Sequence, residues 1–310
     1  GKPPVQPARR ESNGEPAVSD GRRVVVLGRG FVGRAVDRRL RADPGHEVVV
    51  LEPADDAELA GRTPAGAERL RAAIGSSSQP VVINCCGRLR GTDEELLDAN
   101  ARWPQWLTEV LDGAAVRLVH LGSASEYGDP GGPTPLTEDT PARPTGSYGE
   151  TKWAGTSSVF AARSGGADAS VVRGFNLVSE DLSPVSPLHQ FRADVLALPP
   201  EGGSVTLWDP STVRDFILLD DLARVVVGVA LHEDPPDVVN ACSGVGVDFG
   251  SIVRALGDAT GRVVTVESLD RSGIPVVLGD PTRMRAVTGV QANMDAALLA
   301  RTVLGQDGDS

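Results

Sequence analysis

Five short runs, Val24–Leu27, Val48–Leu51, Val81–Ile83, Val116–Leu121 and Val171–Arg173, are almost continuously apolar. A strand that is apolar on both faces is covered on both sides, as in parallel sheets. Between these runs the apolar positions recur at helical spacing: through Val36 and Leu40, from Leu96 to Leu111, and from Tyr148 to Ala162. Strands alternating with helices predict a doubly wound parallel α/β sheet. The pattern degrades after Asn176, where Pro184, Pro187, Pro199, Pro200 and Gly202–Gly203 interrupt residues 179–212. A strand at Phe216–Leu219, a helix at Asp221–Leu231, a strand near Val238–Asn240 and a helix at Ser251–Thr260 follow. The predicted division is a large α/β unit, 22–178 plus 213–245, and a smaller, mostly C-terminal lobe, 179–212 plus 246–310. Residues 1–21, rich in Pro, Arg, Glu and Ser, read as a disordered tail. No internal repeat is present.

Hydrophobic content of 40% and charged content of 23% are those of a soluble globular protein. The net charge of −12 argues against nucleic acid and anionic membrane as partners. No apolar run approaches the ~20 residues of a membrane span. Cys85, Cys86 and Cys242 are odd in number, with two adjacent inside an apolar run, and read as reduced, buried thiols in a cytoplasmic protein. Four scattered histidines supply no metal site.

Two motifs carry chemistry. Gly28-Arg29-Gly30-Phe31-Val32-Gly33 directly follows the first strand and opens a helix, the context of a dinucleotide loop. Its glycines make the tight turn, admit the pyrophosphate and allow close helix packing, while the helix N-terminus offers N–H groups to phosphate. Phe31 and Val32 belong to the same contact surface. Glu52 ends the second strand, 19 residues past Gly33. An acid there accepts hydrogen bonds from ribose hydroxyls and favours NAD. Arg29 and Arg34 keep NADP as the alternative. The second motif is Tyr148 with Lys152. The chain has only two tyrosines and two lysines, and this spacing sets one of each on a single helix face. A nearby ammonium lowers the pKa of a phenol and fits it for acid/base work.

With His120-Leu121-Gly122-Ser123-Ala124-Ser125-Glu126-Tyr127-Gly128, Arg173-Gly174-Phe175-Asn176 and Arg214-Asp215-Phe216 in the same order, the chain over about 23–300 resembles the extended short-chain dehydrogenase/reductase family of NAD-dependent sugar epimerases and dehydratases. The resemblance implies a Rossmann sheet of about seven strands. It also implies a homodimer built on a four-helix bundle, here from helices near 97–112 and 148–163. By position, Ser123 would hydrogen-bond the reacting oxygen, 25 residues before Tyr148, the general acid/base. Lys152 would hold the nicotinamide ribose and stabilise the phenolate. Asn84 and Gly87 sit where a strand passes the cofactor, and Asn100 is either a loop-orienting or a structural amide. Ser125 and Asn176 would line the substrate pocket, and Tyr127 either lines it or packs. Arg214 and Arg271 would grip a diphosphate, and Trp208 would stack on a nucleobase.

Departures narrow the chemistry. Sugar 4,6-dehydratases carry an Asp-Glu pair after the catalytic hydroxyl residue, and Ala124 and Ser125 stand there instead. Glu126 is one place late, which on a strand means the opposite face. Dehydration is therefore disfavoured. Residues 52–81 lack a clear third strand with the Asp that commonly contacts adenine, and Thr63 is the nearest substitute. The leading expectation is an NAD-dependent nucleotide-sugar C4 epimerase. The alternative is an NAD(P)H-dependent ketoreductase of a keto-sugar or natural-product ketone. The intact Ser123, Tyr148 and Lys152 argue against a non-catalytic dinucleotide sensor.

Overall fold

Val24, Val25, Val26 and Leu27 are all fully buried, as are Val81, Val82 and Ile83. Strands so apolar demand cover on both faces, and the chain supplies it. The computed structural model describes residues 21–181, 184, 186–270 and 273–306. Apart from Gly21, the expected tail lies outside the described residues. The first half runs β1 (Arg23–Leu27), α1 (Phe31–Arg41), β2 (Glu47–Leu51), α2 (Ala57–Ala60), α3 (Pro64–Ile74) and β3 (Val81–Asn84). It continues through α4 (Asp93–Leu97), α5 (Trp103–Val110), β4 (Arg117–Ser123), α6 (Gly146–Ser164) and β5 (Ala169–Gly174).

The second half begins with β6 (Asn176–Val178), α7 (Pro187–Ala197), β7 (Gly203–Leu207), β8 (Val213–Leu218), α8 (Leu219–Leu231) and β9 (Val238–Ala241). It ends with β10 (Gly246–Asp248), α9 (Phe249–Thr260), β11 (Val264–Ser268), β12 (Val276–Val277), α10 (Thr282–Thr288) and α11 (Ala296–Val303).

The main sheet is parallel, in the order β2-β1-β3-β4-β5-β9. Val24, Val26, Val119 and Val172 face α1 and α8, while Val25, Val82, Leu118 and Val171 face α3, α5 and α6. The chain winds one way to β2 and the other way from β3. The crevice between the carboxyl ends of β1 and β3 is where such sheets bind ligands. Six strands replace the expected seven or so. Residues 53–74 form a single 3₁₀ turn and the helices α2 and α3 instead of a third strand. Thr63 caps α3, accepting from the Gly66 N–H at 3.1 Å, so it does not stand in for an adenine-contacting acid.

Val213–Leu218, expected in the larger unit, pairs with β6, β10 and β12 in a second sheet. Met284, Val290 and Ala292, expected in the small lobe, return to the core of the main sheet. A third cluster around Phe191, Leu256 and Leu299 holds the rest of the small lobe together.

The expected Leu96–Leu111 helix is interrupted by a π turn at Asp98–Arg102. Pro104 lacks the N–H that would bond the Asn100 carbonyl four residues back, which favours the wider turn there. On α6, a Cβ at Gly155 would stand 2.0 Å from that carbonyl. Glycine at 155 therefore lets α6 lie close against the π turn, and this contact sets the height of Tyr148 and Lys152 over the sheet.

Candidate active site

The glycine loop occupies the crevice. Gly28 has φ +94, a left-handed conformation suited to glycine. A Cβ at Gly33 would lie 1.9 Å from the Gly28 carbonyl oxygen, so α1 packs against the loop only through a glycine. Gly30, at the N-cap of α1, is different: a Cβ there meets no protein atom within 4 Å. The open space above a helix N-terminus fits a pyrophosphate. Phe31 is exposed with the Arg34 guanidinium 5.4 Å from its ring centroid, and Val32 packs inward. Glu52 closes the ribose side, accepting from the Arg29 N–H at 2.6 Å and the Ala54 N–H at 3.1 Å. Beside it a cleft of about 850 Å³ lies between Arg29, Arg34, Arg38 and Arg41 and the acids Asp37, Glu52 and Asp55. The residues present therefore fit a dinucleotide.

Asn84 is 1% exposed. Its Nδ2 meets His120 Nδ1 at 2.9 Å, and its Oδ1 accepts from Trp103 Nε1 at 3.1 Å and the Cys86 N–H at 3.2 Å. The amide is held from three sides inside the protein, so Asn84 braces the loop after β3. Gly87 is closely flanked, since a Cβ there would stand 3.2 Å from Asn100 Oδ1 and 3.8 Å from Lys152 Nζ. Asn100 bonds both backbone groups of Arg88 at 2.8 Å and Thr151 Oγ1 at 3.2 Å, tying that loop to α6. Cys242 is buried, while Cys85 and Cys86 are only half-buried, and all three are free thiols. Burial pushes the Cys85 thiol up to about 12.

Ser123 ends β4 and caps a 3₁₀ turn, Ala124–Tyr127. Its Oγ accepts from Ser125 Oγ at 2.8 Å. Tyr148 is half-buried on α6, one helical turn before Lys152, and Ser123 is the group that favours its phenolate. Lys152 is 4% exposed and donates to the Leu121 carbonyl at 2.5 Å. Burial raises the phenol of Tyr148 above its ordinary value, Ser123 opposes this, and Glu126 raises it further. The lowering expected from Lys152 is thus not found; the ammonium is bound to the Leu121 carbonyl, and desolvation dominates. Burial likewise lowers Lys152, opposed first by Glu126 and then by Cys86 and Cys85.

The sequence reasoning missed Glu126. It does not lie on a strand, and the opposite-face argument fails because residues 124–127 turn. Glu126 is fully buried beneath Ser123 and pairs with Arg173 Nε at 2.9 Å. An arginine set into the apolar run of β5, with an acid just past the end of the neighbouring β4 run, was the available signal. Its engagement keeps it from acting as a dehydratase acid, so dehydration stays disfavoured on different grounds.

The expected substrate residues are more dispersed. Asn176 is half-buried and donates to the Asp215 carbonyl at 2.8 Å. Arg214 is half-buried, 5.8 Å from the Phe249 ring centroid, and forms no ion pair among the described residues. Burial lowers its guanidinium below the ordinary value. Trp208, at 68% exposed, stands at the end of β7. Tyr127 is a packing residue, 2% exposed with its hydroxyl on Asn240 Oδ1 at 2.7 Å. Arg271 lies outside the described residues. Among those residues no acidic, histidine or cysteine cluster could hold a metal, and no helix is long and apolar enough to cross a membrane.

Comparison with known proteins agrees with this geometry. The dTDP-6-deoxy-L-talose 4-dehydrogenase (NAD(P)(+)) of Kitasatospora kifunensis is 32% identical over 271 residues, covering 81% of this chain and 84% of that protein. The UDP-glucose 4-epimerase of Streptomyces lividans is 29% identical, covering 82% and 85%. The fold matches that of RMD from Pseudomonas aeruginosa complexed with NADPH, with a TM-score of 0.73 at 18% identity over 92% of this chain and 97% of that one. The profile of one family matches residues 24–242. With the glycine loop, Ser123, Tyr148 and Lys152 all inside that span, the chain belongs to the NAD dependent epimerase/dehydratase family and is an NAD(P)-dependent enzyme of the extended short-chain dehydrogenase/reductase type.

Proposed function

We propose that this protein is an NAD-dependent nucleotide-sugar 4-epimerase working through oxidation and re-reduction at C4. What supports this reading is that Lys152 on α6 donates to the Leu121 carbonyl of β4, the strand that Ser123 ends, with Tyr148 one turn before Lys152 on the same helix. Gly28, Gly30, Phe31, Val32, Gly33 and Glu52 would hold the dinucleotide, with Gly87 beside Lys152. The bound cofactor supplies a hydride acceptor and, in the return step, a hydride donor. Tyr148 takes the proton of the C4 hydroxyl as the hydride leaves C4, and returns it when the ketone is reduced on its other face. Ser123 donates to the reacting oxygen, and Lys152, fixed on the Leu121 carbonyl, would hold the nicotinamide ribose. Arg214 supports a diphosphate-bearing substrate, since a half-buried guanidinium with no carboxylate partner among the described residues suits a bidentate anion. Trp208 offers an exposed ring to a nucleobase, with Ser125 and Asn176 nearer the sugar. In a homodimer, α5 and α6 are the helices that would meet the second copy, and an odd count of three cysteines fits a cytoplasmic setting.

The second reading is a one-way 4-ketoreductase, favoured by the 4-dehydrogenase relative at 32% identity. Purified protein incubated with UDP-glucose, UDP-galactose and dTDP-linked 6-deoxyhexoses separates the two. The epimerase interconverts C4 epimers without added NADH and retains NAD in native mass spectrometry. One-for-one NADH consumption with a 4-keto sugar supports the reductase. Turnover that survives Tyr148→Phe would refute both.

A further inference from the structure

We propose that Glu126 is a positioning residue of this site: one buried carboxylate, clamped by Arg173, holds Ser123, braces α6, and supplies the negative charge facing Tyr148 and Lys152. This rests on the assignment of Tyr148 and Lys152 as the reacting pair. Glu126 Oε1 accepts from the Ser123 N–H at 2.8 Å and from Thr156 Oγ1 on α6 at 2.9 Å. Its Oε2 accepts from Arg173 Nε at 2.9 Å. The carboxylate therefore joins the end of β4, the middle of α6 and strand β5, the three elements that set where the reacting groups stand. Side-chain exposures of 0% for Glu126 and 3% for Arg173 put the pair in the interior, where a charge pair is weak evidence for stability and calls for another role.

The electrostatics give that role content. The charged and titratable groups around Glu126 are Arg173 from β5, Tyr127 from its own turn, and Tyr148 and Lys152 from α6. Arg173 also stacks on the Tyr127 ring with 4.5 Å to the centroid. Cys85 and Cys86 from the end of β3 and His120 from β4 reach Lys152. Of these groups, Glu126 opposes the neutralisation of Lys152 by burial most strongly, and it also holds the Tyr148 phenol up. A buried ammonium keeps its proton better with a carboxylate nearby.

The chain makes the test direct, because Tyr127 and Tyr148 are its only tyrosines. Phenolate ultraviolet absorbance followed against pH, with Tyr148→Phe as the subtraction, isolates the Tyr148 transition without any substrate. In Glu126→Gln the amide oxygen still reaches the Ser123 N–H but the charge is gone, and the Tyr148 transition moves to lower pH. Because the single variant leaves Arg173 unpaired, Glu126→Gln with Arg173→Gln is measured beside it, with folding followed by circular dichroism. The double variant shows the same downward shift, since Glu126 is the charge that acts on Tyr148. A Tyr148 transition that stays in place or moves upward in the folded variants overturns the proposal. Turnover retained by Tyr148→Phe would instead overturn the catalytic assignment, whatever the titration shows.

Discussion

Gly30 and Gly33 are three residues apart in one motif, yet a methyl group added at each should fail in a different way. Gly30 has φ −66 and ψ −172, open to any residue, and its Cβ would meet no protein atom within 4 Å. Gly30→Ala therefore leaves the fold intact and stabilises it by about 0.4–1 kcal/mol through the unfolded chain. The methyl stands where the pyrophosphate approaches the helix N-terminus. Losing one charge-assisted hydrogen bond there costs about 1.5–3 kcal/mol, or roughly 10- to 150-fold in Kd. At Gly33 the Cβ would overlap the Gly28 carbonyl oxygen at 1.9 Å, a backbone atom that no side-chain rotation can move aside. Gly33→Ala forces α1 outward at an overpacking cost of about 1–3 kcal/mol, a fall of several degrees in Tm at about 2–4 °C per kcal/mol. Thermal melting without cofactor, with NADH fluorescence titration, separates the two effects. If Gly30→Ala melted as low as Gly33→Ala, or bound NADH like the parent, the assignment of that open space to the cofactor would be wrong.

Tyr148→Phe should lower turnover by about 10²- to 10⁴-fold while NADH titration shows near-parental affinity; a comparable loss of cofactor binding would mean that the phenol is structural. Glu52→Ala removes the carboxylate from a cleft rimmed by Arg29, Arg34, Arg38 and Arg41, so the Kd ratio of NADPH to NADH should shift toward NADPH by roughly ten-fold. An unchanged ratio would exclude Glu52 as the discriminator. His120 is fully buried, its Nε2 lacks a hydrogen-bond partner among the described residues, and burial followed by Lys152 holds its pKa well below the ordinary value. The unfolded chain then binds the extra proton first, so stability is lost as pH falls below about 6.5. His120→Gln should flatten the fall of unfolding free energy between pH 6.5 and 5.5 by up to about 1.4 kcal/mol per pH unit; an unchanged slope in urea titrations would contradict this.

The main sheet was legible because its strands are apolar on both faces, a pattern that needs no long-range information. Helices α1 and α6 were legible for the same local reason, and the glycine loop because its flanking strand and helix are adjacent in the chain. Domain limits were harder to read. Val213–Leu218 looks like any buried strand, and only its pairing with β6 and β10 assigns it to the second sheet. Met284 and Val290 likewise show no sign in sequence of returning to the main core. The missing outer strand shows as an absence of β-branched runs between Glu52 and Val81. That the segment folds as helices instead follows from caps at Asp56 and Thr63, which the apolar spacing alone did not reveal.

Glu126 shows where reasoning from periodicity stops. Extending β4 through residue 126, one place past the expected acid, sent its side chain to the far face, whereas the chain turns at Ser123 because the serine side chain caps the next N–H groups. A 3₁₀ turn advances by about three residues per revolution, which brings residue 126 back under residue 123. The partner that makes burial of this acid tolerable is Arg173, 47 residues away on β5. Neither residue makes sense alone: an acid in the core without the guanidinium would cost several kcal/mol, and so would the guanidinium without the acid. The site is thus built at two ranges. Tyr148 and Lys152 are set by local helix geometry and visible in sequence, while the charge that surrounds them depends on a contact that exists only once the sheet has formed.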